Sequence, residues 1–435
     1  MKVFFVGDNQ TNVNWGRSAS VALRQLLAGT FEITGCVTGE LFDLSKADVG
    51  YIDTIMPAKY YRLFRHSLNH ESRRPLRWYI QLERFLGARD FIEEDPAASV
   101  SNLLRNAKRY PALGRICDEL NQADFMVVDG DGDIVFSRPP RRQTLFLLAM
   151  IELAIRLKKP VFLVNSMISD CPITGRNDKT LAAARNLFAK CRAVYLRDPE
   201  SQTYANTLMP EVKVRFVPDS LFTWFPIFED KASHPPVNGD FLMPFPEMVE
   251  YWGKLDFSVP YICIGGGALS STQPDQAAEC YTRLVEAAKE LGYRVYLTEN
   301  DFPDSYLRWV SNKTRVGIVP ANAPILLCGA VLAHARLFIS GRYHPSIFAS
   351  LGGTPCIFLQ SNAHKMGSLS RLLNYKSSRQ FSSFPNPSEI AGIVSTAREY
   401  LDLGEPLREQ IQATARKHYE LAAKLPQFLT QHMNG

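Results

Sequence analysis

The stretch Gly341-Arg342-Tyr343-His344-Pro345 concentrates more usable chemistry than any other in the chain. An apolar run at 337–339 precedes it, and a short apolar helix and the turn Gly352-Gly353-Thr354-Pro355 follow. Gly341 allows a sharp turn, and Pro345 preorganises a helix start. Arg342, Tyr343 and His344 therefore stand where a strand ends and a positive helix terminus begins. An arginine and an imidazole converging there make an anion site with a proton donor or acceptor attached. A lone histidine is ordinarily structural, but one placed two residues from an arginine at a strand end points to function.

Three other segments share that setting. Arg197 follows an apolar run at 193–196, and Asp198-Pro199 reads as a helix entry; a cation there suits a phosphate or carboxylate, or pairs structurally with a neighbouring acid. Asp129-Gly130-Asp131-Gly132-Asp133 follows the run 125–128. A calcium loop starting at Asp129 fails, because Ile134 and Pro140 occupy the positions that need Gly and Glu. What remains is a strand-end loop whose carboxylates, Asp131 among them, accept protons or hold sugar hydroxyls, unless it is only a tight turn. Gly7-Asp8-Asn9 through Asn14-Trp15-Gly16-Arg17 joins the first strand to the first helix without a dinucleotide or Walker signature. Its bland reading is an ordinary turn; its functional one is an acceptor site, with Trp15 stacking on a sugar. Gly265-Gly266-Gly267 is expected to be a flexible strand-end turn.

The elements that must position these groups follow a parallel α/β grammar. Strands are predicted at 3–6, 32–37, 125–128, 161–164, 193–196 and 214–217, with helices at 17–27, 143–158 and 179–191. Residues 232–246 read as a linker rich in proline. Strands then recur at 261–264, 294–297, 316–318, 337–339 and 356–359, with helices at 275–291, 323–334 and 388–400. The expected fold is two Rossmann-like domains facing across a cleft, 1–235 and 250–400, with a helical extension 401–435 packing back. Ligands of such sheets lie at the carboxyl ends of the strands.

Over 435 residues, 49 basic and 44 acidic side chains leave a charge of +5, too small to imply nucleic acid. A basic, aromatic insertion lies within 51–100. Its segment 59–85 holds seven Lys or Arg against Glu71 and Glu83, interleaved with aromatics. It reads either as a solvated helical cover or as a peripheral contact with an anionic membrane. The run 145–151 is too short to span a bilayer, and 1–6 reads as a buried strand, so the expected location is cytoplasmic, at most peripheral to the inner face of the membrane. Eight cysteines without a Cys-x-x-Cys pair read as reduced core thiols. The remaining histidines show no metal-ligand spacing.

The Gly-Arg-Tyr-His…Gly-Thr-Pro stretch resembles the Arg-x-His signature of the polysaccharide pyruvyl transferase family, supported by Asn14-Trp15-Gly16, by Arg197-Asp198 with Ser201, and by their order. The chain departs from the family in Arg17, where an acidic residue is common, in Val217-Pro218-Asp219-Ser220, and in the insertion 59–85. The resemblance implies a GT-B-like fold and transfer of pyruvate from phosphoenolpyruvate to two hydroxyls of a glycan or lipid-linked oligosaccharide, giving a cyclic ketal and phosphate. It implies Arg342, Arg197, Gly341 and Tyr343 on the donor, His344 as general acid, and Asn14, Trp15, Arg17 and Asp131 on the acceptor, with Asp8 a further catalytic candidate. No cofactor beyond phosphoenolpyruvate as co-substrate is expected, and no metal. The rivals are a GT-B glycosyltransferase using a nucleotide sugar, which usually holds an acidic residue in the segment corresponding to 346–353, and a non-catalytic glycan-binding protein.

Overall fold

A computed structural model describes residues 1–7, 15–37, 91–108, 111–229, 255–321, 323–376 and 379–434. Asp8, Asn14 and the segment 59–85 lie outside these. Two parallel sheets organise the chain, as expected. The first has the order β2-β1-β3-β4-β5-β6, built from β1 (Lys2–Val6), β2 (Glu32–Val37), β3 (Phe125–Phe136), β4 (Val161–Asp170), β5 (Ala193–Leu196) and β6 (Val214–Phe216). The second, β11-β10-β7-β8-β9, comprises β7 (Tyr261–Gly267), β8 (Arg294–Thr298), β9 (Gly317–Val319), β10 (Phe338–Gly341) and β11 (Cys356–Phe358). Strand order reverses between β1 and β3 in one sheet and between β7 and β10 in the other, and such reversals open the crevice in which ligands bind.

Apolar alternation sends the side chains of each sheet into two cores. Phe4, Val6, Met126 and Val128 pack beneath helices α2 (Pro96–Asn106), α3 (Pro111–Gln122), α4 (Arg142–Arg156) and α5 (Asp178–Phe188). On the opposite face Val3, Phe5, Phe125, Phe162 and Tyr195 meet Leu23 and Leu27 of α1 (Arg17–Ala28), together with Leu425 and Leu429 of the far-downstream helix Leu425–Asn434. The helical extension therefore does pack back, and it completes the first domain. In the second domain Ile262, Ile264 and Leu297 sit under α7 (Pro274–Lys289) and α8 (Tyr306–Thr314). Its other face is shared: Trp15, Ala19 and Ala22 of the first domain, with Leu221, Phe222 and Phe225, join Cys328, Phe338, Phe348 and Phe358 in one core. That core takes in α9 (Ile325–His334) and α10 (Tyr343–Leu351).

Two sequence expectations change. The Asp-Gly-Asp-Gly-Asp run is not a loop after a strand: β3 continues through it to Phe136, paired with β4, with its register shifting between Asp131 and Ile134. Asp131 (φ 38) and Asn165 (φ 50) take up the left-handed conformation at this irregularity, which aspartate and asparagine tolerate better than most residues. The three glycines 265–267 likewise form the end of β7. A Cβ on Gly266 would lie 2.4 Å from Asp304 Oδ1, so glycine here admits a close neighbour and is no flexible turn. All eight cysteines are free, four of them buried. Among the described residues no helix is long and apolar enough to cross a membrane.

Candidate active site

β10 ends at Gly341, which has Gln360 O and Gly267 Cα within about van der Waals reach of where its side chain would be. Arg342 caps α10 with extended backbone, and His344 lies in the first turn of that helix. Across the cleft, Arg197 emerges from β5 just before α6 (Pro199–Leu208), whose N-cap is Asp198 and whose first residue is Pro199. The two turns meet. Arg197 Nη1 is 3.3 Å from His344 Nε2, and its guanidinium carbon stands 4.4 Å from the centre of the Tyr343 ring.

Two carboxylates complete this contact. Arg197 Nη1 donates to Asp131 Oδ1 and, at 2.8 Å, to Asp219 Oδ2. His344 Nε2 is 3.4 Å from both of these oxygens. Arg197, Asp219 and Tyr343 are buried; Asp131 keeps part of its side chain exposed. Burial works against the Arg197 charge, but Asp131 and Asp219 more than offset it and hold the guanidinium protonated. Burial likewise opposes ionisation of Asp219, yet His344 and Arg197 keep it below the usual carboxylate range. The imidazole thus has three neighbours at one nitrogen: Nε2 accepts from Arg197 when unprotonated and donates to one of the two carboxylates when protonated.

Asp131, Asp219 and His344 place their ligand atoms within 4.8 Å of one another, the spacing a metal ion would need. Arg197 Nη1 lies within hydrogen-bonding reach of all three, so the cation position is held by a guanidinium. As placed, these residues do not fit a metal.

Arg342 is also engaged. It grips Asp304 bidentately, Nε to Oδ2 at 3.1 Å and Nη2 to Oδ1 at 2.5 Å, while Asn300 N–H donates to Asp304 Oδ2. Asp304 is fully buried, and burial is the main influence raising its carboxyl, with Arg342 pulling the other way. Beneath Asp131, Asp129 accepts from Ser20 and Asn165, and Asn165 in turn accepts from Ser220 N–H. This network ties α1, β3, β4 and the helical turn Ser220–Trp224 into one floor.

His364 and Lys365 extend the site. His364 Nε2 lies 3.0 Å from Asp198 Oδ1 and 3.2 Å from Ser201 Oγ. Lys365 begins α11 (Lys365–Leu372); burial and the neighbouring Arg342 and Arg197 push its ammonium down to about 7. A cleft of about 540 Å³ opens beside His364, between Ser169, Asp170 and Tyr204 of one domain and Leu269, Gln360 and Gln380 of the other.

The structure therefore gathers Asp131, Arg197, Tyr343 and His344 into one cluster, with Gly341 and Arg342 beside it. Trp15 does not join them. Its ring is wholly buried between the domains, Nε1 donates to Ala321 O at 3.2 Å and its N–H to Asn300 O at 3.0 Å, so no face is open to a sugar. Arg17 lies on the same side, close enough to act on the Cys328 thiol. Asp219, Asp304 and Lys365 were missed by sequence reasoning. Asp219 follows the end of β6, a position that gave a usable signal; Asp304 and Lys365 sit in stretches without a pattern.

The model of the polysaccharide pyruvyl transferase family matches residues 39–362. The chain belongs to that family. It is accordingly a transferase of polysaccharide biosynthesis. No curated protein matches it significantly. Among solved structures, the UDP-GlcNAc 2-epimerase of Neisseria meningitidis bound to UDP-GlcNAc superposes with a TM-score of 0.54 at 12% identity, covering 100% of this chain and 99% of that one. The S. aureus MnaA–UDP co-structure gives 0.53 at 10% identity, covering 99% and 95%. UGT2 of Phytolacca americana, complexed with UDP-2fluoro-glucose and pterostilbene, gives 0.50 at 12%, covering 100% and 99%. At these identities the likeness is one of fold: this family member shares the GT-B architecture.

Proposed function

We propose that this pyruvyl transferase takes its pyruvate from phosphoenolpyruvate and delivers it as a cyclic ketal to two hydroxyls of one sugar in a polysaccharide or lipid-linked oligosaccharide precursor. The observation that carries this reading is the His344 imidazole, seated against Arg197, Asp131 and Asp219 at the head of α10. A protonated His344 donates to the methylene carbon, which becomes the methyl group. The neighbouring carbon gains positive character and is attacked by the first hydroxyl oxygen. Expulsion of phosphate and attack by the second hydroxyl close the ring. Of the two hydroxyl protons, one replaces the proton His344 gave up and the other leaves with phosphate.

Asp131 is the more exposed of the two carboxylates, which suits it to accept the first hydroxyl proton and pass it to His344 Nε2, 3.4 Å away. Arg342 and Arg197 supply the positive field for a carboxylate and a phosphate, and the α10 terminus adds to it. The 540 Å³ cleft beside His364 has the room for a sugar acceptor, and Ser169, Asp170, Gln360 and Gln380 put polar groups on its mainly apolar walls.

Thermal stabilisation by phosphoenolpyruvate, with a nucleotide-sugar panel alongside, is the direct test. A donor at a hundred times its Kd adds about 2.7 kcal/mol. The expected result is a shift with phosphoenolpyruvate and phosphate release on adding acceptor. A shift with a nucleotide sugar alone overturns the reading.

A further inference from the structure

Closing a ketal takes a proton from each of two hydroxyls, and the cluster around His344 offers a route for one of them, through Asp131. The 540 Å³ cleft adjoins that cluster at two places. Gln360, in its wall, has its carbonyl oxygen 3.0 Å from where a Gly341 side chain would begin, one residue before Arg342. His364, also in its wall, binds Asp198, the residue after Arg197. Among the described residues, the titratable side chains lining this cleft are Asp170, Tyr204 and His364. Two of them are committed elsewhere. Arg176 grips Asp170 through Nε at 2.9 Å and Nη2 at 2.7 Å, and the Tyr204 hydroxyl donates to the same carboxylate. Burial works against the Asp170 charge, yet these partners hold it below the usual carboxylate range; burial and Asp170 push the Tyr204 phenol up. Neither is a useful base at neutral pH.

His364 is arranged differently. Its Nε2 lies 3.0 Å from Asp198 Oδ1 and 3.2 Å from Ser201 Oγ. The Ser201 hydroxyl is itself turned to Asp198 Oδ2 at 2.7 Å. Nε2 is therefore the nitrogen that carries hydrogen, and the carboxylate accepts it. Burial opposes ionisation of Asp198, but His364 and Ser201 hold it below the usual range, so the acceptor stays charged. Nδ1 is left with its lone pair, and among the described residues it has no partner. The side chain is 25% exposed. Ser368 and Arg371 bond Glu200 of α6, which fixes α11, and the ring just before it, against the turn that carries Asp198. A carboxylate that sets the tautomer of an imidazole, with the other ring nitrogen free at a cleft wall, is the arrangement of a general base.

We propose that His364, oriented by Asp198, is the general base for the second hydroxyl, the one whose attack closes the ring. This assignment rests on phosphoenolpyruvate being the donor. Once phosphate has left, the donor carbon is an oxocarbenium bonded to the first sugar oxygen. The second hydroxyl oxygen bonds to that carbon, the π electrons of the C–O bond return to the first oxygen, and the hydroxyl proton passes to His364 Nδ1. The imidazolium, still bonded to Asp198 through Nε2, gives that proton to the released phosphate. His344 and His364 thereby divide the reaction, one acting on the methylene carbon and the other on ring closure.

The test compares wild type with His364→Gln and Asp198→Asn, using phosphoenolpyruvate and a panel of methyl hexopyranosides as acceptors. Ketal is counted by the NMR signal of its methyl group against phosphate released. Wild type should form one ketal per phosphate. His364→Gln keeps a donor for Asp198 and loses the base, so ring closure should slow by about 10²-fold or more. The oxocarbenium is then captured by water, giving free pyruvate, or loses a methyl proton, giving a carboxyvinyl ether. Ketal per phosphate should fall to about a tenth or less while phosphate release stays within about tenfold of wild type. Asp198→Asn, which keeps the helix cap and loses the carboxylate, should lower the ratio in the same sense. A ratio that stays at one in either variant overturns the assignment, whatever happens to kcat, and leaves the donor reading standing. Wild type that phosphoenolpyruvate does not stabilise against heat overturns the donor reading and this one with it. Wild type that binds phosphoenolpyruvate and forms ketal on no glycoside of the panel overturns the placement of the acceptor sugar in this cleft, and with it the assignment. Unliganded melting temperatures identify a misfolded variant; if His364→Gln is that variant, Asp198→Asn decides alone.

Discussion

Arg197 and His344 meet from opposite domains, and each depends on the other's neighbours. Replacing His344 by Gln keeps a polar side chain in the pocket and removes the titratable nitrogen. We expect kcat to fall by about 10²–10⁴-fold with donor affinity retained, read from steady-state rates and thermal shift. Replacing Arg197 by Ala leaves Asp131 and the fully buried Asp219 without their cation, which should cost about 3–5 kcal/mol of stability and show as a large drop in melting temperature. The arginine–histidine pair was legible because a strand, a glycine, an arginine, a histidine and a proline fall in the one order that sets charge at a helix start. Asp304 was not legible. Its role exists only because β7 and β8 lie side by side, bringing it over Gly266 and under Arg342, contacts that no spacing within its own segment records.

The strands show a similar division. Short apolar runs revealed all eleven strands of the described residues, with starts within a residue of those found, but β3 and β4 run eight and six residues beyond the expected ends. The polar continuation of β3 stayed hidden because its carboxylates look like turn residues until Ser20, Asn165 and Arg197 are seen to satisfy them. The end of β7 was misread for the opposite reason: glycine there serves close approach. Adding one methyl at that point tests the packing. Gly266→Ala must displace the Asp304 carboxylate, and with it Arg342. The expected outcome is a loss of about 1–3 kcal/mol in stability, together with a donor KM that rises more than kcat falls, measured by melting and kinetics. α12 (Pro387–Ala422) was expected as two separate helices. That is what it is: Gly404 (φ 56, ψ −135) leaves helical geometry two residues before Pro406 and separates the two helical parts. Its first part packs on the second domain's outer core and its later part on the core shared with Trp15.

At the scale of the whole molecule, the two domains are joined by more than a linker. His418 on α12 donates to Leu372 O at 2.8 Å and lies against Phe222, whose ring centre is 5.1 Å away. Burial holds this imidazole below its ordinary range, with the Leu372 contact opposing in part. In the unfolded chain it titrates near pH 6.5, as histidines do. As pH falls through that value, the unfolded state takes up a proton that the folded state resists, so stability declines in acid. Melting temperatures between pH 7.5 and pH 5.5 should fall less steeply in His418→Gln than in wild type, the pH values being conditions about one unit either side of the ordinary histidine range. The two-domain plan could be read from the recurring strand–helix pattern. The shared core could not, because Trp15 and Phe222 give no local sign of which domain they complete.

The return of helix Leu425–Asn434 onto the first sheet has a consequence for how the protein is made. Phe5, Phe125, Phe162 and Tyr195 leave the ribosome long before Leu425 and Leu429, which share their core, and before Phe428, which stacks on Tyr195. During that interval the nascent first domain shows the part of its apolar sheet face that α1 does not cover to solvent or to a holding chaperone. A translation stop a few codons before 425 would release a chain in which both sheets are present and one face keeps only the part of its cover that α1 supplies, and its expected fate is aggregation or proteolysis.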